Sequence, residues 1–76
     1  PAYVRTPLVD NQIDAQAKNH GISREDVVGS IMLQKSAIKT LIEPDEVAET
    51  VRFLCSDAAN HMTGAAITMD GGWTAG

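Results

Sequence analysis

The run Ala65-Ala66-Ile67-Thr68-Met69 constrains this chain more than any other stretch. It is short, apolar and partly β-branched, the pattern of a strand buried on both faces. Asp70-Gly71-Gly72 ends it with residues that tolerate unusual backbone angles. A strand of that kind needs neighbours, and the remaining residues barely supply them. Just ahead of it, Pro44 suits the first turn of a helix because its missing N–H would be unpaired there. Asp45 and Glu46 add negative charge where the helix dipole favours it. Val47, Val51, Leu54, Cys55 and Ala58 then fall within one arc at the helical period, with Glu49, Arg52 and Ser56 opposite, so a helix with one dry side is expected.

Seventy-six residues hold one small domain at most. Such a chain buries a small fraction of its surface, while ordering it costs about 1.5 kcal/mol per residue. One cysteine precludes an internal disulfide, and Tyr, Phe and Trp occur once each. These features point to part of a larger protein or to stabilisation by self-association. Ten acidic and six basic residues give a net charge of −4 with no Lys/Arg cluster, which argues against nucleic acid as a partner. No apolar run approaches the roughly 20 residues that span a bilayer, so no membrane partner is expected. A lone cysteine suits a reducing compartment, and a cytoplasmic location is the default expectation.

At the start of the chain, Thr6 is placed to cap a helix with Pro7 at its first position. From Leu8 to His20, Leu8, Val9, Ile13 and Ala15 form a broad apolar sector that contains Gln12. That amide is either partly exposed or internally paired, or else a hydrogen-bonding group facing a pocket. Gly21 stops the first helix, and Ser23 caps a second with Asp26 at the reciprocal capping-box position. Val27, Val28, Ile31 and Met32 give the second helix its apolar side. Two short helices joined at a glycine can move as a unit. Residues 35–43 have a weak pattern and read as a loop or one irregular turn. Trp73, close to the end, is expected to pack against something to escape water.

Few of these residues suggest chemistry by themselves. His20 and His61 have no partners at a metal-ligand spacing, and each reads as a helix-end or loop residue; no metal is expected. Cys55 falls on the dry arc, where packing explains it better than nucleophilic reactivity. Asp57, Asp70 and the Glu43/Asp45/Glu46 group show no pairing for acid-base work, and no complete catalytic set is visible.

Two separated segments carry a family pattern. Pro1 to Thr6 resembles the PG-x-x-x-T segment of the short-chain dehydrogenase/reductase family, with Ala2 in place of the glycine. Glu43-Pro44-Asp45-Glu46-Val47-Ala48, Phe53-Leu54-Cys55-Ser56-Asp57-Ala58-Ala59 and Thr63-Gly64-x-x-Ile67-x-Met69-Asp70-Gly71-Gly72 resemble its C-terminal signature. The resemblance implies an α/β fold: the C-terminal portion of a Rossmann-type doubly wound parallel sheet, here mostly helices plus one strand. Residues 1–76 would be a C-terminal fragment of a single-domain dehydrogenase, with residues 7–34 a substrate-closing lid. Residues 44–76 would supply a helix, the last sheet strand and an oligomer-interface tail.

Tyr3-Val4, Thr6-Pro7-Leu8-Val9, Gln12-Ile13 and the two-helix insert resemble the members of that family that act on D-3-hydroxybutyrate, which implies NAD-dependent interconversion of D-3-hydroxybutyrate and acetoacetate. By the same resemblance Ala2, Val4 and Thr6 belong to the cofactor-binding segment. Val4 would bond the nicotinamide carboxamide through its backbone, and Thr6 would bond the carboxamide or diphosphate through its hydroxyl. Gln12 would hold the substrate carboxylate, and Tyr3 would line the same pocket. The glycine-rich loop and the Ser-Tyr-Lys catalytic residues would all precede Pro1, so this stretch holds no catalytic residue and is expected to be inactive alone. The helix from Pro44, with Phe53 at the edge of its apolar arc, and the strand around Ile67 would form a subunit surface of a homotetramer. The alternatives are a non-catalytic interaction or oligomerisation module, or a dehydrogenase of the same family acting on another small hydroxyacid or alcohol.

Overall fold

Helix α1 (Pro7–His20) begins as the sequence dictates: Pro7 occupies its first turn, and the Thr6 hydroxyl accepts the Val9 N–H at 3.3 Å. It ends at Gly21, whose φ of 62° is a left-handed conformation that glycine adopts without a side-chain clash. His20 lies in the last turn, beside the carbonyl end of the helix dipole. In this computed structural model, which describes residues 1–75, Ser23 caps α2 (Arg24–Asp26) by accepting the Asp26 N–H at 3.2 Å. That single turn continues as a π-helical segment (Val27–Met32).

The π register changes which residues face inward. Bonds that span five residues, such as Leu33 N–H to the Val28 carbonyl at 2.8 Å, bring positions five apart onto one face. Val27 and Met32 are therefore both buried, whereas Ile31, expected on the same apolar side, is exposed. Ile13 from α1 joins Val27, Met32, Leu33 and Leu41 in a small core, with Val9, Ala17 and Val28 packed at its margin. Leu8 and Ala15 lie outside it.

After an irregular loop, Pro44 opens α3 (Pro44–Leu54), and the Glu46 carboxylate accepts the Glu43 N–H at 2.9 Å. The expected dry side of this helix is not dry within the chain. Val51, Phe53, Leu54, Cys55 and Ala58 are exposed and Val47 is only half-buried, because no other element lies against that face. Cys55, expected to be packed, is an exposed thiol.

No strand forms among the described residues, and the expectation of one at 65–69 is corrected accordingly. That run makes one backbone bond to another segment, from Ala2 N–H to the Met69 carbonyl at 3.2 Å. A single bond does not make a ladder. What remains of sheet geometry is one parallel bridge between Val4 and Ile42. The chain is elongated, with a radius of gyration of 15.2 Å against about 11 Å for a compact chain of this length.

Candidate cofactor and substrate site

The Val4–Ile42 bridge organises the candidate site. Ile42 N–H donates to the Tyr3 carbonyl at 3.0 Å, and Arg5 N–H donates to the Ile42 carbonyl at 2.7 Å. In a parallel pairing this pattern uses the groups flanking Val4 and turns the N–H and carbonyl of Val4 itself to the opposite edge. Val4 thus presents one donor and one acceptor side by side, the complement of a primary amide. Thr6 stands two residues on, at the N-terminal end of α1 where the dipole favours negative charge. Its hydroxyl oxygen accepts the cap bond, which leaves its proton to donate.

Arg5 fastens this edge. Its guanidinium pairs with Glu43 at 2.8 Å and with Asp10 at 3.4 Å, and these carboxylates, Glu43 foremost, raise its pKa further above the ordinary value. Arg24 also pairs with Asp10, at 3.1 Å, and with Asp14, tying the second helix to the first. All these groups are substantially exposed, so the pairs fix geometry more than they add stability.

Ala2 and Tyr3 line an open cleft of about 600 Å³ shared with Ile67, Met69, Asp70 and Trp73. Ala2 does not adopt a positive φ, so alanine costs no backbone strain there. Gln12 is not in this cleft. It lies six residues beyond Thr6, about 9 Å along α1, with its side chain exposed. The structure therefore groups Ala2, Tyr3, Val4 and Thr6 along one extended segment and leaves Gln12 apart from them.

One residue dismissed on sequence grounds carries much of the local order. The Asp70 carboxylate accepts the Thr74 hydroxyl and N–H and the Gly72 N–H, and these bonds, the Thr74 hydroxyl first, hold its pKa below the ordinary carboxylate value. The spacing Asp-Gly-Gly-Trp-Thr contained the signal: an aspartate two residues before an N–H is the pattern of an Asx-turn. No helix is long and apolar enough to cross a membrane, and no group of three His, Cys, Asp or Glu gathers for a metal among the described residues.

Residues 5–74 match a family profile described as enoyl-(acyl carrier protein) reductase, of the short-chain type. The chain belongs to the short-chain dehydrogenase/reductase family. Two relatives named D-beta-hydroxybutyrate dehydrogenase, from Rhizobium meliloti and Cupriavidus necator, are 44% and 40% identical to it over 75 residues, 99% of the chain. A solved structure of a short chain dehydrogenase family protein from Francisella tularensis matches 100% of the chain at 38% identity with a TM-score of 0.80. The chain spans 29% of the length of those two relatives and 31% of the solved chain. Dehydrogenase chemistry is thus the family's, and the Asp-Gly-Gly turn lies within the matched region, which begins one residue after Val4.

Proposed function

We propose that this chain is the cofactor-edge, lid and oligomer-interface part of an NAD-dependent oxidoreductase that interconverts D-3-hydroxybutyrate and acetoacetate. The observation that carries the proposal is the open edge of Val4. A primary carboxamide offers an N–H and a carbonyl, and Val4 offers their complements from a backbone fixed by the Ile42 bridge. NAD, whose nicotinamide carries such a carboxamide, fits this edge, with the Thr6 hydroxyl available to the carboxamide or a phosphate oxygen. When bound, NAD supplies the hydride acceptor. The names of the two relatives favour 3-hydroxybutyrate within the wider range of hydroxyacids.

In this reading the chain orients and encloses rather than moving protons. Residues 7–34 form the lid, whose Ile13, Val27, Met32 and Leu33 share one core with Leu41 of the returning loop, so that it moves with that loop as one body. Closure brings the exposed Gln12 amide down onto the substrate carboxylate, while Tyr3 lines the pocket. An amide donor keeps its character across pH, so orientation does not depend on titration. The apolar face of α3, with Val51, Phe53 and Leu54 exposed, meets a second copy in a homotetramer. Size-exclusion of the Phe53→Glu variant tests that arm, and an unchanged tetramer would remove α3 from the interface.

The deciding experiment replaces Gln12 by Ala in the intact protein. Losing a hydrogen bond to a charged group is worth about 1.5–3 kcal/mol, so the KM for D-3-hydroxybutyrate should rise roughly ten- to a hundredfold. The KM for NAD should stay within about threefold, since uniform cofactor binding is untouched. Equal use of the substrate by the variant would refute the carboxylate role. If 3-hydroxybutyrate is not turned over but another small hydroxyacid is, the substrate changes and the family reading stays.

A further inference from the structure

Two carbonyls in the Asp70 turn hold opposite sides of the molecule. The Met69 carbonyl accepts Ala2 N–H at 3.2 Å and so anchors the Ala2–Tyr3 segment of the candidate site. Two residues later the Gly71 carbonyl accepts Ile38 N–H at 2.9 Å and anchors the loop by which the two-helix segment returns to the bridge. Between them, the Asp70 carboxylate ties the turn to itself through Gly72 and Thr74.

The loop it holds is joined rigidly to the helices. Lys39 Nζ donates to the Leu33 and Gln34 carbonyls at 2.8 and 2.9 Å, and Ser36 N–H donates to the Leu33 carbonyl at 3.1 Å. Leu33 and Leu41, at either end of the loop, belong to the helical core. The Gly72 contact leaves no slack: a Cβ placed there would lie 2.9 Å from the Ala37 Cβ, and its φ of +91° already excludes most side chains. Lys35 Nζ sits 5.9 Å from the centre of the Trp73 ring, adding a second contact across the same junction.

We propose that the Asp70–Ala75 turn positions the exit end of the lid, with the Gly72–Ala37 contact setting where residues 33–39 rest relative to the Ala2–Tyr3 segment. This rests on the reading of residues 7–34 as a lid. Gly71 and Gly72 are then positioning residues: their missing side chains let the loop sit against the turn, and a displaced loop carries the helices away from the site.

The test uses the full-length protein carrying Ala37→Val, which crowds the contact from a loop position whose own backbone is unstrained, and Gly72→Ala, which crowds it from the turn. Amide hydrogen exchange should speed up at Ile38 and Ser36 by about ten- to a hundredfold in both variants, the scale of an overpacked contact, with α3 unaffected. In Ala37→Gly/Gly72→Ala the Cβ clash is removed while the backbone strain at residue 72 remains, so Ile38 exchange should be slower than in Gly72→Ala without reaching the parental rate. With D-3-hydroxybutyrate, Ala37→Val should raise KM about tenfold while leaving kcat within about threefold. Exchange at Ile38 within twofold of the parent in Ala37→Val overturns the proposal. So does faster exchange with an unchanged KM, which would make the contact merely structural. If Gly72→Ala does not fold, Ala37→Val decides alone. If the parent protein turns over another small hydroxyacid instead, the substrate reading fails and the KM comparison is made with that substrate.

Discussion

Ile13→Ala tests whether the two-helix segment is held by its own core. Ile13 is 1% exposed and touches a cluster whose other members all come from the second helix or the loop after it. The substitution deletes three carbons, about 2.4 kcal/mol at 0.8 per buried methylene, and the unfilled space raises the loss to about 3 kcal/mol. A 14-residue helix is marginal without packing, so α1 cannot absorb that loss through its own hydrogen bonds. Amide exchange across α1 and at Leu33 in the intact protein should therefore accelerate roughly a hundredfold, since about 1.4 kcal/mol is a factor of ten. Amides of α3 should keep their parental rates, because α3 contributes nothing to this cluster. Leu8→Ala, at a position 68% exposed on the same helix, should change them by less than about threefold. Equal acceleration in α1 and α3 would refute a private core, and so would an Ile13→Ala effect no larger than that of Leu8→Ala.

Two further outcomes follow from polar groups. Ser36 Oγ is buried without a protein partner, beside a void of about 10 Å³ at the lower limit for one water. Ser36→Ala should raise the denaturation midpoint by about 1 kcal/mol of stability, and a loss of that size would mean the hydroxyl is bonded to ordered solvent. Asp70 is held below the ordinary carboxylate value by Thr74 and Gly72, so its contribution is fully present above the unfolded pKa and is lost only as pH falls through the lower folded value. The Gly72 and Thr74 amide shifts should stay constant down to the ordinary carboxylate range and change only beneath it, with no such step in Asp70→Asn. A midpoint at or above the ordinary value would contradict the bonded turn.

What could be read from the sequence was what a few neighbouring residues decide. Thr6, Gly21 and Ser23 act where they were expected because a cap depends on residues three or four positions away, all within view. The family was legible for a similar reason: its turns leave fixed spacings of Gly, Asp and Pro. The π register after Asp26 was not legible, since Val27, Val28, Ile31 and Met32 satisfy an ordinary helical period equally well. Leu33 and Leu41 decide between the two by demanding that Val27 and Met32 face the same way. Nor could spacing show that Gly71 bonds Ile38, a contact made across 33 positions. Gln12 marks the limit from the other side: its place on α1 is as expected, and of the two readings open to its amide the structure shows an exposed side chain that does not line the cleft shared by Ala2 and Tyr3.

The bare face of α3 and the unpaired run at 65–69 have one physical origin. An amphipathic helix and a two-sided apolar strand are both specified by what they bury against, and each carries that demand in its sequence whether or not the partner is present. Here Val51, Phe53, Leu54 and Ile67 are all exposed, while the two-helix segment, packed together with Leu41 of the loop that follows it, buries Ile13 and Val27 almost completely. In the proposed reading this contrast follows the division between lid and body. A part that moves over a site must carry its own core, because it cannot borrow one from the body it leaves. A part that belongs to the body can leave its apolar face to neighbouring elements or subunits. The Asp70 turn stands at the junction, bonded to the Ala2–Tyr3 segment on one side and to the loop after the two helices on the other.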